Sequence, residues 1–301
     1  MQCLFSAPLD FDPVVKDEYE SVFRMLWAKQ ISTSDVLETD AWVCNPKASN
    51  IIDAGVLQYF NRLRILATPS TGLNHIDLDA CERRGVKVIS LLDDREGLET
   101  ISASAEFTFK LLLDALRLPP ARELQGKWAS VVGYGRIGMR VSKWCKAFGA
   151  KCLVFDPYKF GFHDKNELEQ IFEVCDAVVI CCSLTPETRG MIGRDLLMSM
   201  KHGAALINTA RGEIVDENAL CEVMDERPDL RVAVDVLQGE VTGTADPERL
   251  RRRGAIVTNH EAGATFDSRT KAARIILGLL KRELETQKAA AWPSAAEYPP
   301  G

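Results

Sequence analysis

Three residues far apart in the 301-residue chain, Arg211, Glu240 and His260, are of the types needed to move a proton beside a bound carboxylate. A guanidinium presents a planar fork that binds a carboxylate bidentately and polarises a neighbouring carbonyl, which an ammonium does not do with the same geometry. Imidazole is the proton carrier suited to neutral pH. A carboxylate close to that imidazole stabilises its protonated form and moves proton loss to higher pH. Taken singly, each also fits an ordinary role: Arg211 as a turn salt bridge, Glu240 as a solvated charge, His260 as a satisfied loop histidine. Position is what joins them. Each follows a short apolar run that reads as a strand, in Asn208-Thr209-Ala210-Arg211-Gly212, in Gln238-Gly239-Glu240 and in Asn259-His260-Glu261.

A partner for such a trio is indicated by Gly133-Tyr134-Gly135-Arg136-Ile137-Gly138, which follows the apolar run Ala129-Ser130-Val131-Val132. In this G-x-G-x-x-G pattern the first glycine allows a tight turn, the second lets backbone N–H groups approach a phosphate, and the third lets helix pack on strand. Met139, Val141, Trp144 and Cys145 continue at helical spacing, Gly149 closes that helix, and a second strand over 151–155 ends at Asp156, 23 residues after Gly133. A carboxylate there accepts hydrogen bonds from ribose hydroxyls and repels a 2′-phosphate, which favours NAD over NADP. Asp156-Pro157 also reads as a turn opener, and Lys159 stands close enough to soften the discrimination. With a nicotinamide seated on this turn, the trio suits hydride transfer: protonated His260 delivers a proton to oxygen in reduction, and neutral His260 removes it in oxidation.

The surrounding elements must position these groups. Residues 3–6, 41–44, 64–68 and 86–89 read as strands of a small α/β layer. Pro69-Ser70-Thr71-Gly72-Leu73-Asn74 forms a polar strand-end loop whose amides at Thr71 and Gly72 could hold a carboxylate, although a simple turn has the same composition. His75 reads as structural. Residues 93–97 are charged and loop-like and mark a first crossing between domains, and 101–118 read as a long buried helix closed by Pro119-Pro120. Beyond Asp156, strands over 176–181, 204–208, 231–236 and 256–259 alternate with helices, which predicts a doubly wound parallel sheet. A final amphipathic helix over 267–285 returns to the first domain. The predicted organisation is therefore residues 1–98 as a smaller α/β domain, 99–262 as the dinucleotide-binding domain, 263–288 as a returning helix, and 289–301 as a disordered Ala- and Pro-rich tail that Trp292 could pin.

Composition narrows the class. A net charge of −6 and a pI near 5.4 argue against a broad phosphate-backbone surface, so no nucleic-acid partner is expected. The one dense basic run, Arg249-Leu250-Arg251-Arg252-Arg253, reads as a solvated helix end. No apolar run approaches the roughly 18 residues of a membrane span. Nine cysteines without a CxxC pair suggest a reducing compartment and a cytosolic location, and nothing suggests a metal.

These motifs together resemble the D-isomer-specific 2-hydroxyacid dehydrogenases, over about residues 67 to 273. Besides the glycine turn, the resemblance is carried by Ser70-Thr71-Gly72-Leu73-Asn74-His75-Ile76-Asp77, Leu184-Thr185-Pro186-Glu187-Thr188-Arg189-Gly190 and Leu206-Ile207-Asn208-Thr209-Ala210-Arg211-Gly212. The segments from Asp235 to Glu240, and His260 with Gly263-Ala264-Thr265, complete it. It implies a Rossmann dinucleotide domain beside a smaller flavodoxin-like α/β substrate domain, with Arg211, Glu240 and His260 as catalytic trio. It further implies Thr71 and Gly72, with Arg211, as substrate-binding, and Tyr134, Gly135, Arg136, Ile137 and Asp156 on the NAD backbone. Ser104, Thr209 and Asp235 fall at its nicotinamide end, His260 and Gly263 are also among the cofactor-binding residues, and a homodimer is implied. Three departures stand out: Asn259 where the family usually has proline, Val241 likewise, and a connection over 106–126 shorter by about 20 residues, in a region where loops carry function.

The resemblance implies an NAD-dependent reductase of 2-oxoacids. It also covers corepressor-like proteins that keep the fold and trio, so a non-catalytic NAD(H)-sensing protein is the alternative. A relative acting on phosphite or formate is disfavoured by Thr71 in place of lysine and by Glu240 in place of glutamine. The substrate side chain would be read near Asn45-Pro46-Lys47, Ser70 and Glu99-Thr100.

Overall fold

The computed structural model describes residues 1–28, 32–46, 51–160 and 165–290. Of the tail predicted over 289–301, residues 291–301, with Trp292, lie outside them, as does Lys47, while 289 and 290 end the helix Phe266–Ala290 rather than a disordered segment. The chain divides into two compact units, Met1–Ile101 with the segment from Phe266, and Ser102–Thr265.

The first unit holds five parallel strands, β1 (Gln2–Phe5), β2 (Arg24–Trp27), β3 (Ala41–Val43), β4 (Ile65–Thr68) and β5 (Lys87–Ser90). Their order is β2-β1-β3-β4-β5, the flavodoxin-like order. β1 and β4 are buried along their whole length, as expected where helices cover both faces of a parallel sheet. On one face Phe5 meets Phe11, Tyr19 and Trp27 at ring-centroid distances of 5.4, 5.3 and 5.3 Å. The Tyr19 hydroxyl donates to the Ala273 carbonyl at 2.9 Å, fastening the helix Phe266–Ala290 to this layer. Two features depart from the sequence reading. β2 is an edge strand with Arg24 exposed and the other side chains only partly buried, so it lacks the fully buried run that marks β1 and β4. The charged stretch at 93–97 is not a loop but leads a short helix, Arg95–Glu99, because Asp94 accepts the Gly97 amide at 3.0 Å and caps it.

The second unit holds six parallel strands, β6 (Trp128–Val132), β7 (Lys151–Phe155), β8 (Ala177–Ile180), β9 (Ala205–Asn208), β10 (Arg231–Val234) and β11 (Ile256–Val257), in the order β11-β10-β9-β8-β6-β7. From β6 the chain goes to β7 on one side and then crosses to β8 on the other, with Val132 in register with Phe155 and with Ile180. Strand order thus reverses beside β6, and the crevice at its carboxyl end is the topological switch point where open α/β sheets bind ligands. Among the described residues the sheet ends at β7, where a doubly wound sheet commonly carries one strand more. The helix Ala103–Arg117 buries Ala105, Leu111, Leu112, Ala115 and Leu116 in the sheet's core, which accounts for its broad apolar circumference.

At the amino end of β10 the side chain of Arg231 is engaged by carbonyl groups, donating to Pro120 at 2.6 Å, to Leu118 at 3.4 Å and to Gly203. Beside it Arg227 forks Asp229 at 2.9 and 2.8 Å, and Asp229 also accepts the Gly203 amide at 2.6 Å. That fork holds the Asp229 carboxyl well below the usual carboxylate range. The basic run near 250 is paired at the surface, Arg251 with Glu248 and Arg253 with Asp225 at 2.8 and 2.7 Å.

Candidate active site

The glycine turn is built as its spacing demands. Gly133 has φ +96°, and a Cβ there would fall on the backbone of Cys182, while one at Gly138 would fall on the Gly133 carbonyl. Gly135 caps the helix Arg136–Ala147 without any side-chain hydrogen bond, and the space a Cβ would take at 135 is open. A helix start whose N-cap supplies no side-chain hydrogen bond is suited to a phosphate anion, through the positive end of the helix dipole. Asp156 is half-buried, its Oδ2 accepting the Tyr134 amide at 2.8 Å and its Oδ1 those of Tyr158 and Lys159 at 3.1 and 3.2 Å. The Tyr134 amide is therefore committed to Asp156. Lys159 Nζ stands 5.7 Å from the Tyr134 ring centroid, on the adenosine side implied for Asp156. These residues fit a dinucleotide.

The three charged loops of the sequence reading follow β9, β10 and β11. Asn208, 1% exposed, braces the first: its Nδ2 donates to the Arg211 carbonyl at 2.9 Å and its Oδ1 accepts the Ala210 amide at 3.0 Å. Arg211 donates to the Ala210 carbonyl at 2.6 Å, and among the described residues no carboxylate comes within salt-bridge distance of it. Burial lowers its pKa, while Glu213 and Glu240 pull the other way.

Glu240 and His260 are brought together, with Oε2 2.7 Å from Nδ1. A carboxylate only accepts, so Nδ1 carries the hydrogen and Nε2 is left to exchange a proton with a reactant. The His260 side chain is 41% exposed, enough to reach a ligand. Asp235, fully buried, builds the loop that presents it: one oxygen accepts from Thr258 Oγ1 at 2.5 Å and the Glu261 amide at 2.9 Å, the other from the Ala262 amide at 2.9 Å. The Asp235 carbonyl accepts the His260 amide at 2.8 Å, and His260 takes the left-handed φ of 50°, which is uncommon outside glycine. Asp235, expected at the nicotinamide, thus has its carboxylate oxygens engaged in holding this loop.

Of the remaining expected contacts, Ser104 and Gly263 are neighbours, a Cβ on Gly263 lying 3.4 Å from Ser104 Oγ. Thr209 is 9% exposed, its hydroxyl 2.6 Å from that of Thr108, which also donates to the Ser104 carbonyl at 2.6 Å. In the first unit the loop after β4 folds on itself, Ser70 Oγ donating to the Gly72 carbonyl at 2.8 Å. Among the described residues, the amides of Thr71 and Gly72 have no acceptor in the protein. His75 is 3% exposed, with its Nε2 3.1 Å from Thr68 Oγ1. The Thr100 carbonyl accepts Lys271 Nζ at 2.8 Å. Asn208 and Thr108 were not singled out in the sequence; the only signal was a polar side chain at a strand end or inside an apolar helix.

The glycine turn at a switch point, with an uncapped helix start behind it, defines a dinucleotide-binding protein of the doubly wound class. Residues 110–262 match the family model described as the D-isomer specific 2-hydroxyacid dehydrogenase, NAD binding domain, and the chain belongs to that family. It is 30% identical over 282 residues to a glyoxylate reductase of Thermofilum pendens, covering 83% of this chain and 81% of that one. It is 29% identical to a D-3-phosphoglycerate dehydrogenase of Methanocaldococcus jannaschii over 92% of this chain but 57% of the relative. The chain thus spans about half the length of the phosphoglycerate dehydrogenases it matches. An NAD-bound 3-phosphoglycerate dehydrogenase of Entamoeba histolytica shares the fold with a TM-score of 0.78 at 23% identity, over 95% of each chain.

Proposed function

We propose that this chain is an NAD-dependent oxidoreductase that interconverts a 2-oxoacid and a D-2-hydroxyacid, working mainly as a reductase. The observation that carries the reading is the 2.7 Å pair of Glu240 and His260, on loops that follow strands of the same sheet as the glycine turn. NAD fits the uncapped helix start and Asp156, and its reduced form, when bound, supplies the hydride. The protein's own groups do the rest. Arg211 binds the substrate carboxylate with its fork and polarises the adjacent carbonyl. Glu240 holds Nδ1–H of His260, so that the protonated ring gives its Nε2 proton to the carbonyl oxygen as hydride arrives at carbon. In the oxidative direction the neutral ring takes that proton back. The unpartnered amides of Thr71 and Gly72 support a role in carboxylate binding. Ser104 and Thr209 are assigned to the nicotinamide end, and Gly263 to cofactor binding, by the resemblance.

The test is steady-state reduction of glyoxylate, pyruvate, hydroxypyruvate, phenylpyruvate and larger oxoacids with NADH and with NADPH. Turnover with NADH is expected, together with a loss of about 100-fold in kcat/KM in Arg211→Lys at unchanged NADH affinity. NADH binding without turnover of any oxoacid would favour the sensing alternative. The nine free thiols suit a reducing, cytosolic location, and the family resemblance suggests a homodimer, which sedimentation would check. Among the described residues no helix is long and apolar enough to cross a membrane.

A further inference from the structure

Glu217 begins the helix Glu217–Glu226, yet that helix does not need it as a cap. Asp216 already accepts the amides of Asn218 and Ala219 at 3.0 and 3.1 Å. The Glu217 residue is only 6% exposed and borders a small cavity walled by Val215, Leu220, Val236 and Leu250. Burial pushes its pKa up. Its nearest cation is distant for a pair, Arg249 Nη1 lying 3.8 Å from Oε1. A carboxyl in such surroundings costs stability that a leucine would not.

What the side chain does is hold a turn. Glu217 Oε2 accepts the Gln238 amide at 3.0 Å, and Glu240 Oε1 accepts the preceding amide, that of Leu237, at 2.8 Å. The Gln238 side chain donates to the Val215 carbonyl at 2.8 Å. From the other side Gly212 presses on the same peptide, since a Cβ at 212 would fall on the Leu237–Gln238 bond. The segment that carries Glu240 is thus clamped between the loop of Arg211 and Glu217.

We propose that Glu217 is a positioning residue for the Glu240–His260 pair, fixing the Gln238 amide and so setting the turn from which Glu240 reaches His260 Nδ1. The proposal rests on the oxidoreductase reading. The charged groups facing Glu217 are Arg249, Asp246 and Glu240, and those facing the pair are Arg211 and the buried Asp235. A purely structural role at a helix start predicts only a change in stability.

Glu217→Ala, Glu217→Asp and Glu217→Gln in the full chain separate these roles. Alanine and aspartate do not reach the Gln238 amide, whereas glutamine keeps an oxygen acceptor there. In the Ala and Asp variants kcat for oxoacid reduction is expected to fall about tenfold and the alkaline limb of the pH profile to move down by about one pH unit. KM for NADH should stay within about twofold, and Glu217→Gln should stay within about twofold of wild type throughout. An unmoved alkaline limb in the Ala and Asp variants, whatever their thermal stability, overturns the proposal. So does a Gln variant that shifts as far as Ala, because charge rather than placement would then be responsible. If Ala does not fold, Asp carries the test. If wild type reduces no oxoacid, the functional reading fails, and the titration of the His260 ring followed by NMR in wild type and Glu217→Asp still decides the positioning claim: a lower midpoint in the variant supports it and an equal one sinks it.

Discussion

The two ends of the six-stranded sheet use the same side-chain types to opposite effect. At the amino end Arg231 is engaged by the Leu118, Pro120 and Gly203 carbonyls, and Arg227 and Asp229 close on each other. At the carboxyl end, among the described residues, the Arg211 side chain makes one hydrogen bond, to the Ala210 carbonyl, and His260 is bonded to Glu240 through Nδ1, with Nε2 uncommitted. A charged group whose bonding capacity is filled from within stabilises the fold, because leaving any member unpaired carries a desolvation penalty. A charged group held by only part of that capacity keeps the remainder for a ligand. In the loop after β4 of the first unit, among the described residues, the backbone amides of Thr71 and Gly72 likewise have no acceptor in the protein.

The contrast can be broken at either end. The largest effect is expected for His260→Gln, which should lower kcat about 1000-fold while NADH binding, read by fluorescence, is retained. Equal loss of binding would move His260 out of its assigned role. Arg231→Met should do the converse, lowering unfolding free energy by about 2 to 3 kcal/mol in denaturant titration and leaving kcat per folded molecule within about twofold. A large fall in kcat there would erase the distinction between the ends. Glu240→Gln should bring the alkaline limb of reduction down by about one pH unit, since an amide stabilises imidazolium less than a carboxylate does; an unchanged profile would remove Glu240 from the mechanism.

The smallest effect is expected for Asp229→Asn. Arg227 depresses the folded-state pKa of Asp229, so its contribution is present above the unfolded value and is lost as pH falls towards the folded one. The variant should be less stable than wild type by about 1 kcal/mol at pH 7, with the gap narrowing as pH falls below about 4. A gap that widened on acidification would contradict the assignment.

Much of this was legible before any coordinates. The glycine spacing and the acid at the end of the next strand are local, because turn geometry and strand length are short-range properties. The trio could be nominated because residue type and strand-end position are both visible in one dimension. Other features were not legible. Arg95–Glu99 read as loop because Asp94 and its charged neighbours look alike whether they cap or merely solvate. Strand β2 is a pairing decision made by β1, not a local preference. That Asp235 holds the His260 loop, that Tyr134 gives its amide to Asp156, and that Glu217 grips Gln238 depend on where distant segments pass.

By itself the amino-acid sequence determined the parallel α/β class, the dinucleotide turn and the family, since these follow from periodicity, glycine conformation and motif order. Only the tertiary structure decided which polar groups are filled by their neighbours and which retain a free lone pair or N–H. Hydrogen-bond partners come from residues 20 or more positions away, as with His260 and Glu240 or Gln238 and Glu217, and no local rule of chain conformation specifies them.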